Sequence, residues 1–167
     1  AINPIKILVL FLSMSMMSIF LDEIGFFRFL ASYVLSRAKT SQKTLFVYLY
    51  VIVSVLTVFT SNDVIILTFT PFICYFAKNA KIDPIPYLFA EFVAANTWSM
   101  MFIIGNPTNV YLATTNGITF IRYFLVMGIP TVMGGVAAFF MLFFVFRKQL
   151  HKPIEAESVT AAIENKV

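Results

Sequence analysis

Leu45-Phe46-Val47-Tyr48-Leu49-Tyr50-Val51-Ile52-Val53-Ser54-Val55-Leu56-Thr57-Val58-Phe59 runs without a charge into Thr60-Ser61-Asn62-Asp63, and Val64 to Ala77 is apolar again apart from Thr68 and Thr70. As one straight helix this stretch would be about 50 Å long, too long for a hydrocarbon core of about 30 Å. As two full crossings it would give each only about 15 residues, which is short. The flanking charges separate the options. Arg37, Lys39 and Lys43 precede the run, and Lys78 and Lys81 follow it. Short basic loops mark the cytoplasmic side, so both flanks lie there. The chain therefore enters and returns, as a re-entrant hairpin with its tip at Thr60–Asp63; two short crossings are the alternative. A carboxylate and a carboxamide at depth are expensive unless they face protein, water or an ion. Non-helical backbone there must be buried in protein or line a polar cavity.

The rest of the chain agrees with a membrane setting. Of its 167 residues, 60% are hydrophobic and 12% charged, and 20 are Phe. Soluble domains carry about 25% charged residues, so a soluble fold is excluded. The length allows one membrane domain, residues 1–151, followed by a polar cytoplasmic linker, 152–167. The net charge of +4 sits in short loops and encodes topology, so no nucleic-acid partner is expected. Cys74 has no second cysteine to pair with and reads as a core or lipid-facing filler. His151 has no His or Cys near it, so no metal role is expected.

A second polar interruption lies downstream. Tyr87–Ala113 carries Glu91, Asn96, Thr97 and Ser99 and then Gly105-Asn106-Pro107-Thr108-Asn109. Asn96 and Ser99 share a helix face, with Glu91 about 140° away from Asn96. Pro107 is expected to end a helix, since it lacks an N–H and restricts the residue before it. Gly105 permits close approach or unusual backbone angles. Asn106 and Asn109 can bond exposed backbone or a ligand. A span broken at mid-depth by Gly, Asn and Pro points to a transporter site. At the first tip, Ser, Asn and Asp are good N-caps for the returning helix, whose positive end faces the same spot. Thr68 and Thr70 are expected to satisfy carbonyls freed by a kink near Pro71. Glu91 reads either as a site carboxylate or as an interface residue paired with a loop lysine.

The remaining segments complete the outline. Ile5–Leu21 is about 25 Å of helix, near the lower limit for a span. Asp22-Glu23 closes it as a solvated helix end or a contact to Arg28, and Phe26–Leu35 follows as an interfacial helix or a continuation. No cleavage site follows Leu21, and the start at Ala suggests a piece of something longer. Thr114–Gly117 is a turn on the outside. Ile121–Phe146 is the last span, with Gly128, Gly134 and Gly135 allowing close helix approach. Arg147, Lys148 and Lys152 return it to the cytoplasm, leaving Lys6 and Arg122 outside.

Three stretches together resemble a known family: Phe20-Leu21-Asp22-Glu23-Ile24-Gly25-Phe26-Phe27, Phe59–Val64 through Thr70-Pro71, and Asn96-Thr97 through Asn109. They are similar to the ion transporter superfamily, in its branch of arsenical-pump and sodium/proton-antiporter-like permeases, which is citrate-transporter-like. The resemblance covers roughly Ile5 to Phe146. It implies an all-α polytopic membrane protein built from two inverted repeats, each with a re-entrant hairpin and a broken transmembrane helix. Only one such half is present, so the chain reads as an N-terminal repeat that does not complete a pathway alone; its partners would be the bilayer, the C-terminal half and, as a homodimer, a second copy.

Carried over by motif, the substrate or ion site comprises Thr60, Ser61, Asn62, Asp63, Asn96, Thr97, Gly105, Asn106, Pro107, Thr108 and Asn109. Sodium would sit at Ser61, Asn62, Asp63, Gly105 and Asn106; a coupling Na+ or H+ is the one cofactor implied. Carboxylate-transporting relatives have Thr where this chain has Asp63. That added charge disfavours a dianion and favours a cation, a proton or a neutral oxyacid such as arsenous acid. The expected function is a secondary permease for a small inorganic ion or oxyacid, by arsenite efflux or sodium/proton antiport, in a bacterial or archaeal plasma membrane. A sodium-coupled carboxylate carrier and an uncoupled channel are the alternatives. An enzyme is not expected, since no His-Glu-x-x-His, Gly-x-Ser-x-Gly or paired catalytic aspartates occur.

Overall fold

The computed structural model describes residues 4–26, 29, 41–152 and 154. The expectations for Arg28, Arg37, Lys39, most of Phe26–Leu35 and most of the 152–167 tail fall outside the described residues. Every regular element among the described residues is helical: α1 (Pro4–Glu23), α2 (Gln42–Phe59), α3 (Asn62–Asn79), α4 (Ile85–Trp98), a 3-10 turn (Ile103–Gly105), α5 (Pro107–Thr115) and α6 (Phe120–Phe146). The all-α reading holds. α1 ends at Asp22-Glu23, and Gly25 follows with a positive φ.

The apolar run divides at Thr60-Ser61, where its polar residues predict. Ser41 starts α2, its hydroxyl accepting from the Thr44 N–H. The two helices have 18 residues each, because Gln42–Thr44 and Lys78–Asn79 join the apolar residues. Each is thus about 27 Å long, longer than the apolar run by itself allowed.

The ends of four elements meet on one side. Gln42 of α2, Lys81 and Asp83 after α3, and Gln149 and Lys152 after α6 line a single cavity. Tyr87, in the first turn of α4, donates its hydroxyl to Gln42 Oε1 at 3.1 Å. Lys43 Nζ approaches His151 Nε2 at 2.9 Å, and His151 Nδ1 meets the Arg147 carbonyl. α2 and α4 therefore run one way, and α3 and α6 the other. At the opposite end, Phe102 packs against Phe59, Phe120 and Phe124. The tip after Phe59 thus stands level with the first turns of α6.

α4 is the central helix, packed against α2, α3 and α6. Its Ala90, Ala94 and Ala95 are fully buried, and small side chains at these positions let neighbouring backbones approach closely. Phe46, Val53, Ile65 and Phe69 fill the space around them. α6 is 27 residues long, and it and α2 are apolar and long enough to cross a membrane by length and composition. Along α6, Ile121, Leu125, Ile129 and Met133 form an exposed stripe at four-residue spacing, suited to lipid. Cys74 is exposed.

Gly135 shows why the last span carries glycine. Its carbonyl accepts from the Tyr50 hydroxyl at 2.7 Å. A Cβ there would lie 2.5–2.7 Å from the Trp98 indole. Gly135→Ala is expected to cost about 1–3 kcal/mol by forcing α6 away from α4. Thermal unfolding in detergent would show it, with Gly117→Ala, strained only at its own turn (φ +60°), as the comparison.

Three local expectations change. Pro107 does not end a helix but begins α5, with Asn106 as N-cap. Its missing N–H falls where a helix has no acceptor for it, and its fixed φ suits the first turn. The preceding helix ends earlier, at Trp98. Pro71 frees the Leu67 carbonyl, but Thr68 bonds back to the Val64 carbonyl at 2.7 Å and Thr70 turns to Glu91 of α4, so neither threonine serves it. Among the described residues Glu91 pairs with no loop lysine: it is 1% exposed, and both its oxygens accept from the Thr70 hydroxyl at 3.1 Å.

Candidate functional site

The tip is built by a helix end followed at once by a helix start. Thr60 closes α2, its Oγ1 donating to the Leu56 carbonyl at 2.8 Å. Ser61 is the extended N-cap of α3, yet its hydroxyl makes no capping bond. It donates weakly to Asn62 Oδ1 at 3.5 Å instead. The opening N–H groups of α3 thus lack a side-chain acceptor, which leaves donors and the positive dipole end unclaimed. Ser61 and Asn62 are buried, whereas Asp63 in the same first turn is exposed.

The break is a closed loop held by its own polar groups. Gly105 is buried, and a Cβ there would overlap the Ser99 carbonyl oxygen. Asn109 Nδ2 donates to the Ser99 and Phe102 carbonyls at 2.9 and 3.2 Å. Those carbonyls lie beyond the end of α4, where no helical partner remains. Asn106 Oδ1 accepts from the Thr108 N–H at 2.8 Å. Of the two uses open to these asparagines, backbone bonding is the one the structure shows. Thr108 is exposed and Pro107 half-buried.

Tip and break are joined through the last turn of α4. Asn62 Nδ2 donates to Asn96 Oδ1 at 3.3 Å, and Asn96 Nδ2 donates to the Phe92 carbonyl at 2.8 Å. Thr97 faces α6, its Cγ2 3.7 Å from where a Gly134 Cβ would stand. No hydrogen bond links 60–63 directly to 105–109 among the described residues; Asn62–Asn96 and the Phe59–Phe102 rings, 6.2 Å apart, make the connection. Among the described residues no group of three or more His, Cys, Asp or Glu side chains gathers as a metal site. The Tyr50–Gly135 link and the Thr70–Glu91 pair were not foreseen. Adjacent Gly134-Gly135 opposite an aromatic-rich helix was the available signal for the first; nothing local marked the second.

Sequence comparisons agree with this architecture. The Bacillus subtilis "Putative arsenical pump membrane protein" is 28% identical over 86% of this chain and 33% of its own length. The Dictyostelium discoideum "Putative transporter arsB" is 27% identical over 86% of the chain and 25% of its own length. The Escherichia coli "Arsenical pump membrane protein" is 27% identical over 84% and 33%. The chain thus spans a quarter to a third of these relatives. They come from bacteria and a eukaryote, so likeness to them does not fix which membrane holds the protein. No solved structure matches. The citrate transporter profile, CitMHS, matches residues 4–166, nearly the whole chain; with its long apolar helices and its two polar interruptions, this chain is an integral membrane protein belonging to the CitMHS citrate transporter family.

Proposed function

We propose that the chain forms one repeat of a secondary transporter for a small inorganic ion or oxyacid, with the tip at 60–63 and the loop at 105–109 contributing half of the transport site. The observation that carries this reading is the Asn62–Asn96 contact, which holds the uncapped start of α3 beside the broken end of α4. Free N–H donors suit an oxygen-rich solute. The exposed Asp63 carboxylate next to them suits a cation, a proton or a neutral oxyacid better than a multiply charged anion. The names of the arsenical-pump relatives fit an arsenous acid substrate. The family's citrate description favours a second reading, a sodium-coupled carboxylate carrier, in which a cation at Asp63 offsets the substrate's charge.

In this reading α2 and α3 form a hairpin entering and leaving on one side; the cavity shared by their flanks fits this and two full crossings alike. Labelling of Thr60→Cys from the far side, at the rate of an exposed loop cysteine, would instead make them two crossings.

The test is flux in proteoliposomes carrying the full-length protein, with pH and sodium varied independently and arsenite and citrate as solutes. Asn62→Ala and Asn96→Ala are each expected to lower uptake; Asn96→Ala strands the buried Asn62 amide at about 1–3 kcal/mol, and Asn62→Ala strands the half-buried Asn96 amide at less. The double variant should lose little more than either single one. Strictly additive losses would show that the two amides do not act together.

A further inference from the structure

We propose that the polar cavity at the end of the bundle opposite the tip binds a phosphate-bearing anion, carried by the headgroup of an anionic phospholipid or present as free phosphate. The cavity measures about 300 Å³ and is lined by Gln42, Lys81, Asp83, Gln149 and Lys152. Two ammonium groups and two carboxamides thus line one open cleft, with Gln42 buried at its wall and Lys81, Gln149 and Lys152 exposed around it. Its one lining carboxylate, Asp83, is engaged by the Ile85 N–H at 3.0 Å, closing the start of α4.

Gln42 is the built part of the site. It is only 5% exposed. Tyr87 holds its Oε1, and its Nε2 donors have no partner among the described residues. The Tyr87 bond therefore fixes the amide with its donors free at the cavity wall. Gln42 opens α2 and Ile82-Asp83 lead into α4, while α3 and α6 end at the same place, so the helix ends balance and the two lysines set the sign of the field. Lys43 does not compete for the space, because it is held by His151.

The surroundings favour a lipid source. α6 arrives at the cavity with Phe140, Phe144 and Val145 exposed, and Arg147 lies 4.4 Å over the Phe144 ring. An apolar, lipid-facing helix end followed by Gln149 and Lys152 places acyl chains beside the cavity and the phosphate inside it. Basic pockets at a membrane's cytoplasmic interface take anionic headgroups on this principle.

The experiment uses the protein in nanodiscs of phosphatidylcholine doped with phosphatidylglycerol, with retained lipid counted by native mass spectrometry. The expected result is preferential retention of phosphatidylglycerol, reduced about 25-fold in the Lys81→Gln/Lys152→Gln double variant, each lysine contributing roughly fivefold. Lys148→Gln, which leaves the cavity lining intact, should retain lipid as the parent does. The single Lys152→Gln variant, at an exposed position, keeps the test valid if the double variant folds poorly. A second arm adds inorganic phosphate to protein in pure phosphatidylcholine and follows thermal stability. Stabilisation by phosphate that vanishes in the lysine variants assigns the site to the free anion; lysine-dependent retention of phosphatidylglycerol without a phosphate effect assigns it to the lipid. Equal retention of the two lipids together with no phosphate effect, or retention that the lysine changes leave alone, overturns the proposal.

Discussion

Gly105→Ala is expected to remove the folded loop between α4 and α5 and, with it, transport. The added Cβ would overlap the Ser99 carbonyl oxygen and crowd its carbon and Cα. These are backbone atoms, so no rotamer change relieves the contact. The same carbonyl accepts from Asn109, so moving it also breaks the stitch that holds the loop. Overpacking costs about 1–3 kcal/mol where side chains can yield, and a backbone neighbour puts Gly105 at or beyond the top of that range. The measurement is thermal unfolding of purified protein alongside proteoliposome flux. Gly25→Ala, at a position with open space around it but a positive φ, controls for simple backbone strain. A Gly105→Ala protein as stable as its parent would show that the close approach at Ser99 is not needed.

Asp63→Asn is expected to leave the fold intact and uncouple transport. The side chain is exposed and lies in the first turn of α3, so the isosteric amide creates no cavity and buries no new polar group. What changes is charge at the place where α3 presents its unclaimed N–H groups. With Asp63 as the cation or proton carrier, the variant should lose at least about tenfold in coupled flux, equivalent to about 1.4 kcal/mol. Its residual flux should no longer respond to pH or sodium. With a carboxylate as substrate, losing the negative charge should leave citrate flux equal or higher while its sodium dependence falls. Unchanged flux with unchanged pH and sodium dependence would remove Asp63 from the mechanism.

Much of the fold was legible because membrane segments declare themselves through sums over many residues. Forty-odd angstroms of Phe-rich helix in α6, or the matched apolar arms around Thr60–Asp63, need no knowledge of a neighbour. The break was legible as a place but not as a geometry. Gly105 and Pro107 marked the interruption, yet Pro107 proved to open a helix, because proline is compatible with a first turn as well as with a stop. Asn106 and Asn109 were candidates for ligand or backbone, and the loop's own carbonyls claimed them, since carbonyls beyond a helix end must find donors.

By itself the sequence determined that this is a helical membrane protein, that its long apolar run turns at Thr60–Asp63, and that the two flanks of that run return to one end of the bundle. Those conclusions follow from hydropathy, helix length and the placement of lysines, all additive along the chain. Tertiary structure alone decided that Asn62 meets Asn96, that Thr70 turns to Glu91, and that Gln42, Lys81 and Lys152 surround one cavity. Each of these depends on the rotation and offset of one helix against another. A shift of one residue turns a helical side chain by about 100°, so only the packed bundle decides which polar groups face each other.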